Sequence, residues 1–166
     1  MGQITKSIEI DAPLDVCWAL NADARRLTEW NPAILEVRDV SGPLDQVGTT
    51  YTGVIKAMGR RFDGRNEVVR VVPNTAVETR GTGVGGAKAR VTAEFARRPN
   101  GTKVTVSIDY ELPGGLFGGL AEKLFATRQL EDQLLASNAG FKRVAEADAA
   151  TAAAGLRPES ADVPAR

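Results

Sequence analysis

With 166 residues, the chain has the length of one domain that buries more than half of its unfolded surface, below the size at which cores usually divide. Its 21 Lys and Arg balance its 21 Asp and Glu, so no basic excess exists to neutralise a phosphate backbone and no nucleic-acid partner is expected. The absence of His and the single Cys17 exclude imidazole general bases, Ser-His-Asp and Cys-His nucleophile systems, His-containing metal centres, thiolate clusters and internal disulfides.

No run approaches the roughly 20 apolar residues of a membrane helix, and the amino terminus lacks a signal-peptide pattern. The expectation is a soluble, cytoplasmic protein with no integral membrane segment, no metal and no cofactor. Hydrophobic residues make up 43% of the chain and aromatics 5%, so the core is built mostly from Val, Leu, Ile and Ala.

From Gln3 to Ile10, Ile4, Lys6, Ile8 and Ile10 alternate with Gln3, Thr5, Ser7 and Glu9, which predicts a half-buried strand. Asp11 is placed to cap a short helix over Leu14–Leu20, with Pro13 in its first turn and Val16, Cys17 and Leu20 inward. Cys17 lacks a neighbour that would lower its pKa, so it is read as core packing. Asp23 can cap a second helix over Ala24–Trp30, which Asn31-Pro32 stops because the residue before proline is pushed out of the helical region.

Short Val, Ile and Thr runs then predict strands near 34–40, 49–58, 61–72, 75–82, 87–98 and 102–112. Asn100-Gly101 between the last two is read as the two central residues of a tight hairpin turn with positive φ, not as a glycosylation acceptor. Gly81-Thr-Gly83-Val-Gly85-Gly86 has the letters of a dinucleotide fingerprint, but the alternating stretch after it predicts a strand where the fingerprint needs a helix. It is read as a hairpin loop. In 61–72 the alternation fails towards the end, where Arg70 takes an inward parity and Val69 and Val71 oppose it.

The segment 113–119, with Gly114, Gly115, Gly118 and Gly119, separates the last strand from a helix over Leu120 to about Ala147. These glycines serve either as a hinge that gates access beneath the helix or as a tight corner. Residues 148–166 are expected to be a disordered tail after a domain at 1–147. At 100° per residue, Leu116, Leu120, Leu124, Leu130, Leu134, Leu135 and Phe141 form one apolar face. Thr127, Glu131 and Asn138 interrupt it, where a buried polar group without a partner costs about 1–3 kcal/mol. Two readings follow: the face borders a wet cavity, or the helical phase is offset and Glu131 pairs with Arg128 on the surface. Inward Asn66, Gly53 and Gly64 on the strands, and the Tyr110 hydroxyl, fit the cavity.

The order strand, two short helices, six-stranded meander, Gly-rich segment and long helix resembles the helix-grip fold of the START and Bet v 1-like (SRPBCC) superfamily, an α+β fold with a seven-stranded antiparallel curved sheet around the C-terminal helix. Ile8-Glu-Ile-Asp-Ala-Pro13 with Val16-Cys17-Trp18, Glu29-Trp-Asn-Pro32, Val47-Gly-Thr49 and Leu112-Pro-Gly-Gly115 are similar to the bacterial polyketide cyclase/dehydrase and lipid-transport branch over about residues 2–147. The resemblance implies a hydrophobic ligand between sheet and helix, with Trp30-Asn-Pro32, the 83–86 loop and the 113–119 segment around the mouth. It implies no defined catalytic constellation, since only some members are enzymes.

The expected function is a carrier or sensor of a lipid, isoprenoid or polyketide-like molecule. Phe62, Val106, Ile108, Leu116, Leu120 and Leu124 would supply apolar wall and Trp30 would lie at the mouth. Asn66, Tyr110, Thr127, Glu131 and Asn138 would orient a polar end. The alternatives are a cyclase or dehydratase with Glu131 as acid/base and Tyr110 or Asn138 stabilising an oxyanion, and a protein-interaction module, for which no long exposed apolar face is expected.

Overall fold

In the computed structural model, which describes residues 1–57, 59–113 and 119–155, the alternating stretches become seven strands. These are β1 (Gly2–Ile10), β2 (Ile34–Arg38), β3 (Thr50–Ala57), β4 (Arg60–Val72), β5 (Ala76–Thr82), β6 (Lys88–Arg98) and β7 (Gly101–Glu111). They form one sheet in the order β1-β7-β6-β5-β4-β3-β2, every pair antiparallel. Helices α1 (Leu14–Ala22) and α2 (Leu27–Trp30) lie between β1 and β2, and α3 (Leu120–Ala153) follows β7. This is the predicted helix-grip architecture.

The sheet has two chemically distinct faces because strand side chains alternate. On the outer face Thr5 meets Ser107 at 3.0 Å, Ser7 meets Thr105 at 2.9 Å and Gln3 donates to Asp109 at 2.9 Å. On the inner face Ile4, Ile10, Phe95, Val104 and Tyr110 are buried. The failed alternation in β4 has a physical cause. Val68 pairs with Thr79 and Arg70 with Glu78, so Val69 is the extra residue of a bulge that turns Arg70 outward and brings Val71 opposite Val77 in the second core.

Three local expectations are corrected. Asp11 does not cap α1: Pro13 occupies the N-cap position without a side-chain bond, and the Asp11 N–H instead donates to Glu146 at 3.0 Å. Asp23 does cap, accepting from the Arg25 N–H at 3.0 Å, but the segment opens as a 3₁₀ turn over Ala24–Arg26 before α2. In the β6–β7 hairpin Arg98 pairs with Gly101, so Pro99-Asn100 forms the turn. Gly101, at φ 156°, starts β7 where a Cβ would collide with the Ile10 carbonyl.

Three hydrophobic clusters organise the described interior, the smallest of them Ile4, Tyr110 and Leu134 between β1, β7 and α3. Ile10, Leu14, Cys17, Leu20, Phe95, Val104 and Phe141 pack together beneath α1 and the second half of α3; Leu27, Leu44, Val68 and Val77 pack beneath α2. Burial pushes the Cys17 thiol above its ordinary pKa, as suits a packing residue. The helix α3 passes the predicted end at Ala147 and runs to Ala153. Its last turns are tied down, with Arg26 bridging Asp148 at 2.6 Å and Glu29 at 2.8 Å, and Lys142 donating to the Glu9 carbonyl at 3.0 Å. Residues 156–166, the rest of the expected tail, lie outside the described residues.

Candidate ligand-binding site

A cavity of about 190 Å³ lies between α3, the α2–β2 connection and the inner face of β1, β7 and β6. Its floor follows from register: Val91 pairs with Ile108, Ala93 with Val106 and Phe95 with Val104, so six apolar side chains fall on one face. Its roof is the helical stripe Leu130, Leu134, Ser137, Asn138 and Phe141. Its end wall is Trp30 with Asn31, held against α3 in two ways. Trp30 packs edge-on against Phe141 with ring centroids 5.1 Å apart, and Ser137 Oγ donates to Asn31 Oδ1 at 3.0 Å.

The polar side chains on the lining, Asn21, Asn31, Gln133, Ser137 and Asn138 with the Trp30 indole, are all neutral. Asn31 Oδ1 is already used, since it accepts from Ser137 and also from the Ala33 N–H at 3.1 Å. Trp30 Nε1 and Asn138 Nδ2 are buried and have no acceptor among the described residues. Asn138 as a whole is only 6% exposed. No titratable side chain lines the cavity among the described residues.

Of the expected site residues, Trp30, Val106, Ile108 and Asn138 come together here. Tyr110 and Thr127 do not line the cavity: they bond each other at 2.7 Å, and Thr127 Oγ1 also donates to the Lys123 carbonyl at 2.9 Å. Glu131 stands at the edge of the helical stripe, paired with Lys6 of β1 at 2.5 Å and 40% exposed, so neither the buried acid/base nor the Arg128 pair is present. Phe62 and Asn66 lie on β4, which contributes nothing to the cavity. Asn66 Nδ2 donates to the Gly64 carbonyl at 3.0 Å.

Leu120 and Leu124 are exposed, together with Phe125, so the first turns of α3 carry an apolar patch that the sequence was not expected to show. Leu135 also faces solvent. The buried stripe therefore runs to one side of the Leu face read from the sequence. Leu116, Gly114, Gly115 and Gly118 lie outside the described residues. Asn31 belongs to the Trp30-Asn-Pro32 stretch expected at the mouth; Ser137 was not anticipated, and its signal was its place beside Asn138 on the inward stripe.

A curved antiparallel sheet gripping a long helix over an apolar cavity defines the helix-grip class. The chain belongs to the polyketide cyclase/dehydrase and lipid transport family, whose profile matches residues 1–146. It is 26% identical over 114 residues to the toxin Rv0910 of Mycobacterium tuberculosis, covering 69% of this chain and 78% of that one. Among solved structures it is similar to TTHA0849 of Thermus thermophilus, with TM-score 0.71, 20% identity and coverage of 89% and 99% of the two chains. The di-domain ARO/CYC BexL of the BE-7585A biosynthetic pathway matches with TM-score 0.71 and 18% identity over 87% of this chain, which spans 50% of that one. Ara h 8.0201 matches with TM-score 0.67 and 13% identity over 88% and 98%. These structural likenesses establish the fold. Among the described residues, no helix is long and apolar enough to cross a membrane.

Proposed function

We propose that the protein binds a small, largely apolar molecule in the cavity beneath α3 and acts on it as a carrier or sensor, not as a catalyst. The observation that carries this reading is the pairing of an apolar floor, Val91 to Val106, with two buried N–H donors that have no acceptor among the described residues. A buried donor without a partner costs about 1–3 kcal/mol, which a ligand oxygen offsets on binding. Membership of a family described by lipid transport as well as cyclase chemistry fits the same reading.

The catalytic alternative needs a proton-transfer group at the ligand. Glu131 is held by Lys6 away from the lining, and Tyr110 is spent on Thr127, which supports binding over cyclisation or dehydration. Native mass spectrometry on protein purified gently from its own host tests the proposal. A bound small molecule of defined mass is the expected result; protein that stays at its bare mass and takes up no apolar probe would count against a carrier.

A further inference from the structure

We infer that the ligand is a compact, uncharged molecule, about one ring with a short substituent, that carries a carbonyl or ether oxygen at the end facing α2 and α3. The inference rests on the cavity reading above and narrows it. Size comes first: a pocket of about 150 Å³ accommodates benzene, so about 190 Å³ accommodates one ring and a few further atoms, well short of a fatty acid or a fused polycycle.

Polarity comes second. The buried groups left without a partner among the described residues are both donors: the indole N–H of Trp30 can only donate, and Asn138 presents a buried amide N–H. Both come from the α2–α3 junction, while the opposite floor is Val, Ala and Ile, so a ligand is orientated with its oxygen towards Trp30 and its hydrocarbon over Val106 and Ile108. Asn31 Oδ1 already takes two N–H or O–H bonds, and the Asn21 and Gln133 amides on the lining carry both donors and an acceptor, so the preference for a ligand oxygen rests on the two buried donors. Charge comes third. No Lys or Arg lines the cavity among the described residues, and burying a carboxylate without a cation is far more costly than burying a ketone.

The test is a titration of the intact protein with three molecules of nearly equal size: acetophenone, ethylbenzene and benzoate. Affinity is read by calorimetry, and the indole N–H resonances of Trp18 and Trp30 are followed by NMR. Acetophenone is expected to bind roughly fivefold to tenfold tighter than ethylbenzene, with benzoate weakest, and to move the Trp30 indole signal where ethylbenzene does not. In Trp30→Phe and, independently, Asn138→Leu, the preference for the ketone should shrink by about threefold or more while ethylbenzene still binds.

Equal binding of ketone and hydrocarbon with an unmoved Trp30 signal would overturn the inference and leave the cavity reading intact. Tightest binding by benzoate would overturn the uncharged class. If none of the three binds saturably, the cavity reading itself fails. The comparison on the unmodified protein decides the matter even where a variant does not fold.

Discussion

Gly140 of α3 lies directly against the backbone carbonyl of Trp30, so that any Cβ at residue 140 would overlap that oxygen. This contact sets how closely α2 approaches α3, and through it the position of the cavity's end wall. In an exposed helix interior Gly→Ala stabilises by about 1 kcal/mol. Here the collision with a fixed backbone atom is larger, of the order of 1–3 kcal/mol for overpacking. Gly140→Ala is therefore expected to lower the melting temperature by several degrees and to weaken probe binding, both read by thermal unfolding with and without acetophenone. A more stable variant that binds normally would show that α2 and α3 need no such approach.

The Tyr110–Thr127 hydrogen bond joins β7 to the early part of α3 outside the cavity. Tyr110→Phe should cost about 0.5–1.5 kcal/mol in urea unfolding, because Thr127 keeps its bond to the Lys123 carbonyl and is not orphaned. Probe affinity should stay within about twofold of the parent. A tenfold loss of affinity would place the phenol at the ligand after all.

Glu131→Gln separates the binding and catalytic readings. The Lys6–Glu131 pair is part exposed on both sides, and such pairs contribute about 0–1 kcal/mol, so the variant should fold with nearly parental stability and bind the same probes. Loss of turnover of any candidate substrate in this variant, with binding intact, would restore Glu131 as an acid/base.

The strands were legible because each has one wet and one dry face, and alternation records that directly. The bulge at Val69 was visible as a break in parity, although its partner register was not. The caps and the site were less legible, because they depend on contacts between residues far apart in sequence. Asp11 looks like a cap, but Pro13 takes the N-cap position and the Asp11 N–H is tied to Glu146, while Glu131 looks like an intruder in an apolar face until Lys6, at the other end of the chain, meets it. Leu120 and Leu124 have the right spacing for the buried face, but spacing does not show which turns of a 34-residue helix lie over the sheet. Trp30, Val106, Ile108 and Asn138 meet on one cavity lining because their local pattern and their long-range neighbours agree.

Stability should also depend on pH through the C-terminal half of α3. Lys142 bonds the Glu146 carboxylate, and the Asp11 N–H donates to it as well, which together lower the Glu146 pKa. A group with a depressed folded-state pKa contributes stability that is complete above its unfolded value, about 4.3, and is lost as pH falls through the folded value. Lys142, whose pKa is raised chiefly by Glu146, contributes in the opposite sense, with stability present below the ordinary lysine range and lost in strong alkali. The stability gap between the parent and Glu146→Gln, followed by urea unfolding from about pH 6 down to about pH 3, should therefore close with acid. A constant gap would assign the effect of Glu146 to packing.

The most direct test of the cavity as a binding site is calorimetric titration of acetophenone into the parent and into Ala93→Leu, since Ala93 lies opposite Val106 on the cavity floor. The larger side chain fills space beneath α3 and should raise stability by about 0.5–2 kcal/mol as a cavity-filling change. Saturable one-to-one binding by the parent and at least tenfold weaker binding by the folded variant is the predicted result. Equal affinities, or no saturable binding by either protein, would contradict a ligand site beneath α3.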